Sequence, residues 1–285
     1  MLVHLNGSIV AFAAARISPD DRAFLFADGV YEALLARHGR PLLWAEHERR
    51  LRHGLAALRL PLVDTGALLP AVEELLRANG LATGEAAVYL QVSRGAAPRA
   101  HAFPDPAVPP TVYASVRRHQ PHPPERVAAG VAAVTVADDR WARCDVKTTA
   151  LVANVMAQQA AKEAGAYEAL FVRDGIAVEG SHSNLFVVRP DGCLVTYPAC
   201  NYVLEGVTRN CVLALARGMG VVVAEGAVPL GDLYAAAEVF VTGTTTEVLP
   251  VTTVDGRRVG AGRPGPLTLR LREAYLRHLD ELAGA

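Results

Sequence analysis

Apolar positions along the chain follow two rhythms, alternation and a spacing of three to four, and the changes from one to the other predict the elements. VHLNGSIVAF (3–12) alternates about Asn6-Gly7, which predicts a hairpin. DGVYEALLARHGRPLLW (28–44) predicts two further strands turning at His38-Gly39-Arg40. AEHERRLRHGLAALRL (45–60) has helical spacing and is expected to stop at Pro61, and ALLPAVEELLRANG (67–80) predicts a second helix closed by Gly80. AAVYLQVSRG and TVYASVRR predict strands, joined by the Pro- and Ala-rich loop AAPRAHAFPDPAVPP.

RHQPHPPER (118–126) has no periodic apolar face and is the expected linker. Its His119 and His122 are metal-ligating residue types, but a stiff polar connector explains them better. Beyond it, VAAGVAAVTVADDRWARC reads as a strand ending close to Lys147, and TTALVANVMAQQAAKEAG as a helix. EALFVRDG, IAVEGSHSNLFVVR and GCLVTYP read as three strands, with Asp-Gly turns at 174–175 and 191–192. EGVTRNCVLALARGMG is a helix opening after Gly206, EVFVTGTTTEVLPVTTVDG is strand, and PLTLRLREAYLRHLDEL is a last amphipathic helix. Strands in runs and helices in blocks favour an α+β protein over a doubly wound one. No GxGxxG follows a strand, which argues against a nicotinamide or flavin dehydrogenase.

The 285 residues are 51% hydrophobic, enough for one large core or two modest ones, and the net charge is -1. A basic stripe is missing, against nucleic-acid binding, and neither a signal-peptide start nor a membrane-spanning apolar run is seen. Four cysteines lack metal spacing and disulfide density, so a soluble, cytoplasmic protein with no metal site is expected.

Of 28 basic residues only Lys147 and Lys162 are lysines. Where Arg has replaced Lys so widely, a retained lysine raises the question of what Arg could not do there. Lys can lose its proton and attack a carbonyl, whereas Arg cannot. Lys162, near a helix C-terminus, reads as a solvated charge facing the helix dipole. Lys147 stands at a change of element in RWARCDVKTTAL, where partial burial would favour a neutral amine.

Glu179, a carboxylate in an apolar strand, needs a cationic partner, and a protonated pyridine nitrogen would be one. Phosphate donors are available at the start of the helix EGVTRN, through the backbone of Val207 and Thr208, and in VTGTTTE, through Gly243 and Thr244. Arg50 could add a fixed charge, although periodicity alone does not separate it from Arg49 and Arg52. Arg99 and His101, two apart in a loop that also holds Arg94, would project to one side of an extended segment and could grip a carboxylate.

FADGVYEALL, EHERRL, YLQVSRGAAPRAHAFP, RWARCDVKTTAL, YEALFVRDGIAVEGSHSNLF, LEGVTRN and FVTGTTTEVLPV, in that order, resemble the fold-type IV pyridoxal-phosphate enzymes, above all the bacterial D-amino acid aminotransferases. The resemblance runs nearly end to end. It implies a small N-terminal α/β domain (1–117), the linker, and a larger cofactor-binding domain (127–285) with a barrel-like sheet and helices. Lys147 would be the Schiff-base lysine and proton shuttle, and Glu179 would face the pyridine nitrogen. Arg50, Val207, Thr208 and Thr244 would form the phosphate cup, with Leu204 against the ring. Tyr31, Arg99 and His101 would trap the substrate carboxylate, the last two reaching over from the other subunit of a homodimer. The implied activity is ping-pong amino transfer between D-amino acids and 2-oxo acids, such as D-alanine or D-glutamate with pyruvate or 2-oxoglutarate. Alternatives are a branched-chain L-amino acid aminotransferase, an aminodeoxychorismate lyase and a non-catalytic dimer that holds the cofactor. Two departures stand out: TTAL follows the lysine in place of Ser-Leu-Asn, and His182 stands where a small residue is expected, with consequences for hydrogen bonding around Glu179.

Overall fold

Asn6 and Gly7, and again His38 and Gly39, take positive φ (49° and 85°, 50° and 75°), the left-handed pair that a two-residue hairpin turn requires. Both expected hairpins therefore form in the computed structural model, which describes residues 1–60 and 63–284. Pro61, the expected helix stop, lies outside the described residues.

The chain divides into two compact units, Met1–Gln120 with Val146–Leu151 and the residues from Leu282 on, and Pro121–Asp145 with Val152–Glu281. In the first unit, β1 (Leu2–Leu5), β2 (Ser8–Ala11), β3 (Gly29–Arg37), β4 (Arg40–Pro41), β5 (Glu85–Ser93) and β6 (Thr111–Arg118) form an antiparallel sheet in the order β2-β1-β6-β5-β3-β4. Its helices are α1 (Arg22–Phe26), α2 (Trp44–Ala57) and α3 (Leu68–Ala78). Alternation assigns the two faces of the sheet. Val30 and Leu34 of β3, with Val88, Leu90 and Val92 of β5, share a core with Leu51 and Leu55 of α2 and Val72, Leu75 and Leu76 of α3. Tyr31, Tyr89 and Tyr113 fall on the odd-numbered positions, and Tyr89 contacts both of the others.

The second unit contains β7 (Val131–Ala137), β8 (Glu168–Arg173), β9 (Ile176–Gly180), β10 (Asn184–Val188), β11 (Leu194–Thr196), β12 (Val223–Glu225), β13 (Val228–Pro229), β14 (Glu238–Gly243), β15 (Glu247–Val254) and β16 (Arg257–Arg258). Its helices are α4 (Pro124–Ala129), α5 (Val152–Glu163), α6 (Val207–Gly218), α7 (Leu230–Tyr234) and α8 (Pro266–Ala283). Strands β10-β14-β15-β7-β8-β9 run in that order, and β9 returns to β10 through the pair Glu179 and Asn184, closing a barrel. Leu170 joins the cluster that includes Leu185, Val187, Val239 and Val241, whereas its neighbours Ala169 and Phe171 join Ala157 and Ala161 of α5. Burial on both faces explains why EALFV reads as a continuous apolar run.

Three sequence readings change. The long strand read over IAVEGSHSNLFVVR is two strands broken at Ser181–Ser183, because the buried Glu168 accepts hydrogen bonds from the hydroxyls of Ser181 (2.5 Å) and Ser183 (2.6 Å) and draws the chain into a tight return. The 118–126 connector is not wholly irregular, since α4 begins at Pro124, a residue suited to a first helical position. Lys147, read with 127–285, belongs to a segment grouped with the first unit: Tyr31 N donates to Lys147 O (2.9 Å), Thr149 N donates to Gly29 O (3.0 Å), and Val30 bridges Thr148. Among the described residues no helix is long and apolar enough to cross a membrane.

Candidate active site

The expected site residues fall in both units: Tyr31, Arg50, Arg99, His101 and Lys147 in the first, Glu179, Leu204, Val207, Thr208, Gly243 and Thr244 in the second. Lys147 is half-buried, with Nζ 4.5 Å from the centre of the Tyr31 ring. Tyr31 stacks on Tyr89 (5.5 Å), whose hydroxyl donates to Gln91 Oε1 (2.7 Å) and is pushed up to about 12 by burial. The Tyr89 phenol thus stays neutral.

On the other face of β3, Glu32 is 1% exposed and takes both arms of Arg50, Nε at 2.8 Å and Nη2 at 2.7 Å, with His47 Nδ1 at 2.7 Å. Burial alone would raise the Glu32 carboxyl, but the charge and hydrogen bonds of Arg50, with the His47 contact, hold it at about 2. Burial lowers His47, so its neutral ring donates to Glu32. Periodicity left Arg50 undistinguished from Arg49 and Arg52; the fold distinguishes it, since it meets Glu32 from α2. Glu32 escaped the sequence reading, although the argument applied to Glu179, a carboxylate in an apolar strand, applies to it equally.

Arg99 and His101 lie in a bent loop rather than an extended segment, yet they converge. Arg99 sits over the Phe26 ring (5.2 Å) and the His101 ring packs against it (5.5 Å).

In the second unit Glu179 is 5% exposed at the barrel closure. Arg140 Nη1 donates to its Oε1 (2.5 Å), while Asn184 Nδ2 and the Leu204 backbone N–H donate to Oε2 (both 3.1 Å). Leu204, expected only as an apolar contact, therefore also holds Glu179 through its backbone, and its carbonyl accepts from Asn184 (2.9 Å). Arg140 directs Nε (2.8 Å) and Nη2 (3.1 Å) at Asp138. Burial pushes the Glu179 carboxyl up to about 7 even though Arg140 pulls it down, and Asp138 adds to the rise. Arg140 and Asn184 carry no sequence signal, since nothing in the spacing brings 140 to 179. His182 Nδ1 lies 3.2 Å from Glu168 and 3.1 Å from the Ser181 hydroxyl.

Candidate anion donors lie at the start of α6 and in the turn after β14. Gly206 caps it without a side-chain hydrogen bond to the first turn, and any Cβ there would lie 1.9 Å from Asn184 Oδ1. Val207 and Thr208 are the first helical residues. Gly243 ends β14 and Thr244 opens the turn to β15. The adjacent Thr242 hydroxyl is buried with no hydrogen-bond partner among the described residues. An uncapped helix start, an unpaired buried hydroxyl and a carboxyl short of positive charge suit an anionic ligand that also carries a cationic ring nitrogen. Among the described residues no group of three or more His, Cys, Asp or Glu could hold a metal.

Residues 29–254 match the family model for amino-transferase class IV. The chain is 38% identical to a D-alanine aminotransferase of Bacillus licheniformis over 96% of its own length and 95% of the relative's. It is 35% identical to a D-alanine aminotransferase of Staphylococcus haemolyticus, with 98% of each chain covered. Among solved structures, the branched-chain amino acid aminotransferase of Escherichia coli aligns with a TM-score of 0.89 at 26% identity, covering 98% of this chain and 94% of the other.

Proposed function

The chain belongs to the amino-transferase class IV family, and from that premise we propose that it uses pyridoxal phosphate to move amino groups between D-amino acids and 2-oxo acids. The observation that carries the substrate class is the pair Arg99 and His101 gathered on Phe26, in a chain alike over almost its whole length to two D-alanine aminotransferases.

When bound, pyridoxal phosphate supplies an electrophilic carbon and a ring that accepts electrons as the α-proton leaves. Lys147 Nζ would hold it, and as a neutral amine would take the substrate α-proton and return it, a role closed to the always-protonated Arg. Glu179 would face the ring nitrogen and favour its protonated form. Its carboxyl, near 7 with Arg140 alone, gains from a second cation. The backbone N–H groups of Val207 and Thr208, the backbone at Gly243, the Thr244 hydroxyl and the Arg50 charge hold the phosphate. Leu204 would pack against the ring. Tyr31, Arg99 and His101 hold the substrate carboxylate.

The working form is a homodimer with Arg99 and His101 serving the neighbouring subunit. Both side chains are exposed, and so are Val152 (78%), Val155 and Met156 on α5, apolar area that a second copy would cover. The four cysteines are free thiols, which supports a reducing, cytoplasmic location.

A branched-chain L-amino acid aminotransferase is the second reading, favoured by the likeness to the Escherichia coli structure. Cofactor half-reactions with matched D- and L-amino acids separate the two. D-alanine and D-glutamate should bleach the visible cofactor band, and response confined to L-leucine and its relatives would overturn the D-amino acid reading.

A further inference from the structure

Two arginines that the proposed chemistry does not use are almost completely buried in the first unit. Arg22 and Arg94 are each 3% exposed, and burying a guanidinium is costly unless its N–H groups and charge are met. Asp28 meets both: it accepts Arg22 Nε at 2.8 Å and Arg94 Nε at 2.7 Å and Nη2 at 3.0 Å. Burial would raise the Asp28 carboxyl, but the two arginines hold it below the usual range, so one anion stands between two cations.

The remaining N–H groups of Arg22 are aimed at the loop that carries Arg99 and His101. Arg22 Nη1 donates to the carbonyls of Ala100 (2.6 Å) and Ala102 (3.3 Å), and Nη2 to that of His101 (3.4 Å). One planar fork thus grips three consecutive carbonyls. Arg94 donates to the carbonyls of Leu58 and Arg59 (both 2.8 Å), and its guanidinium lies 3.6 Å from the centre of the Phe103 ring. Phe26, one helical turn after Arg22, receives Arg22 at 4.7 Å, Arg99 at 5.2 Å and His101 at 5.5 Å. The loop is held by its backbone through Arg22, at its far end through Phe103, and by both functional side chains on one ring.

We infer that Arg22 and Phe26, backed by Asp28 and Arg94, are positioning residues that hold Arg99 and His101 in the geometry that receives the substrate carboxylate, a role that rests on the proposed carboxylate trap. An exposed loop with two long side chains loses conformational freedom when it binds an anion, and fixing it beforehand removes that cost from binding. Lys cannot replace Arg22, because an ammonium has no planar fork to span three carbonyls.

The test is calorimetric titration of the pyridoxal-phosphate-loaded enzyme with propionate, which offers a carboxylate and no amine. Arg99→Ala should weaken propionate binding about 10-fold or more, the loss of a charge-assisted contact. Arg22→Lys, which keeps the charge, should weaken it by about 10-fold, and Phe26→Leu by a smaller factor of about 3. The triple variant Arg22→Lys/Arg99→Ala/His101→Ala should bind within about twofold of Arg99→Ala/His101→Ala, because residues acting through Arg99 and His101 then have nothing left to position. In turnover with D-alanine, Arg22→Lys should raise KM far more than it lowers kcat. Should Arg22→Lys not fold, Phe26→Leu, a change at a half-buried ring, carries the same cycle. Wild-type propionate affinity in the Arg22 and Phe26 variants alongside weakened Arg99→Ala would overturn the positioning role and leave the trap standing. Losses that multiply when Arg22→Lys is added to Arg99→Ala/His101→Ala would also overturn it. Wild-type affinity in Arg99→Ala would sink the trap itself.

Discussion

Glu32 and Glu179 are both buried strand carboxylates facing an arginine, yet one is held at about 2 and the other is pushed up to about 7. The difference lies in what else the arginine serves. Arg50 gives Glu32 a two-armed contact, and neutral His47 adds a third donor. Arg140 gives Glu179 one arm and turns its other two donors to Asp138, whose negative charge then opposes ionisation of Glu179. Burial does not by itself make a carboxylate structural or functional. A fully matched charge locks a fold, and a partly matched one remains ready for another cation.

Four measurements would break or sharpen this contrast. Glu179→Gln should lower amino transfer by about 10²–10⁴-fold, the range for losing a group that supports proton transfer, and it should do so with little change in folding. Retained activity would make Glu179 another structural carboxylate. Glu32→Gln should cost about 3–5 kcal/mol in urea unfolding, because the Arg50 charge is left without its counter-charge.

The pH dependence of unfolding should separate the two in opposite directions in the cofactor-free protein. Glu179 carries a raised folded pKa, so the folded state holds the extra proton between about 4.5 and 7 and stability falls as pH rises through that window. Glu32 carries a lowered one, so its contribution is present above about 4.5 and fades as pH falls toward 2. Each amounts to about 3 kcal/mol, and each slope should vanish in the matching Gln variant. A slope in the upper window that survives Glu179→Gln would assign the titration elsewhere. The smallest effect belongs to Thr242→Val. Replacing an unpaired buried hydroxyl by an isosteric methyl should change cofactor-free stability by less than about 1 kcal/mol. If that hydroxyl serves the cofactor, the same change should weaken pyridoxal-phosphate binding by about tenfold in an absorbance titration, a single hydrogen bond's worth.

Much of this was readable along the chain. The hairpins at Asn6-Gly7 and His38-Gly39, the helix opening at Gly206 and the strand pairs follow from local rules: left-handed turn residues, uncapped helix starts and alternation act over a few residues. The lysine count directed attention to Lys147, and the carboxylate in an apolar strand directed it to Glu179, because both arguments concern what one side chain can do chemically. Partnership was a different matter. Arg140 reaches Glu179 across 39 positions and Arg22 grips carbonyls 78 to 80 positions away. Periodicity saw no difference between Arg49, Arg50 and Arg52; Glu32 on the neighbouring strand made the choice. The sequence by itself determined which elements form and which residues carry reactive groups, since those depend on backbone conformation and side-chain chemistry. Only the tertiary structure decided which charges are matched, because Coulomb and hydrogen-bond energies depend on a few ångströms that close only when distant segments pack.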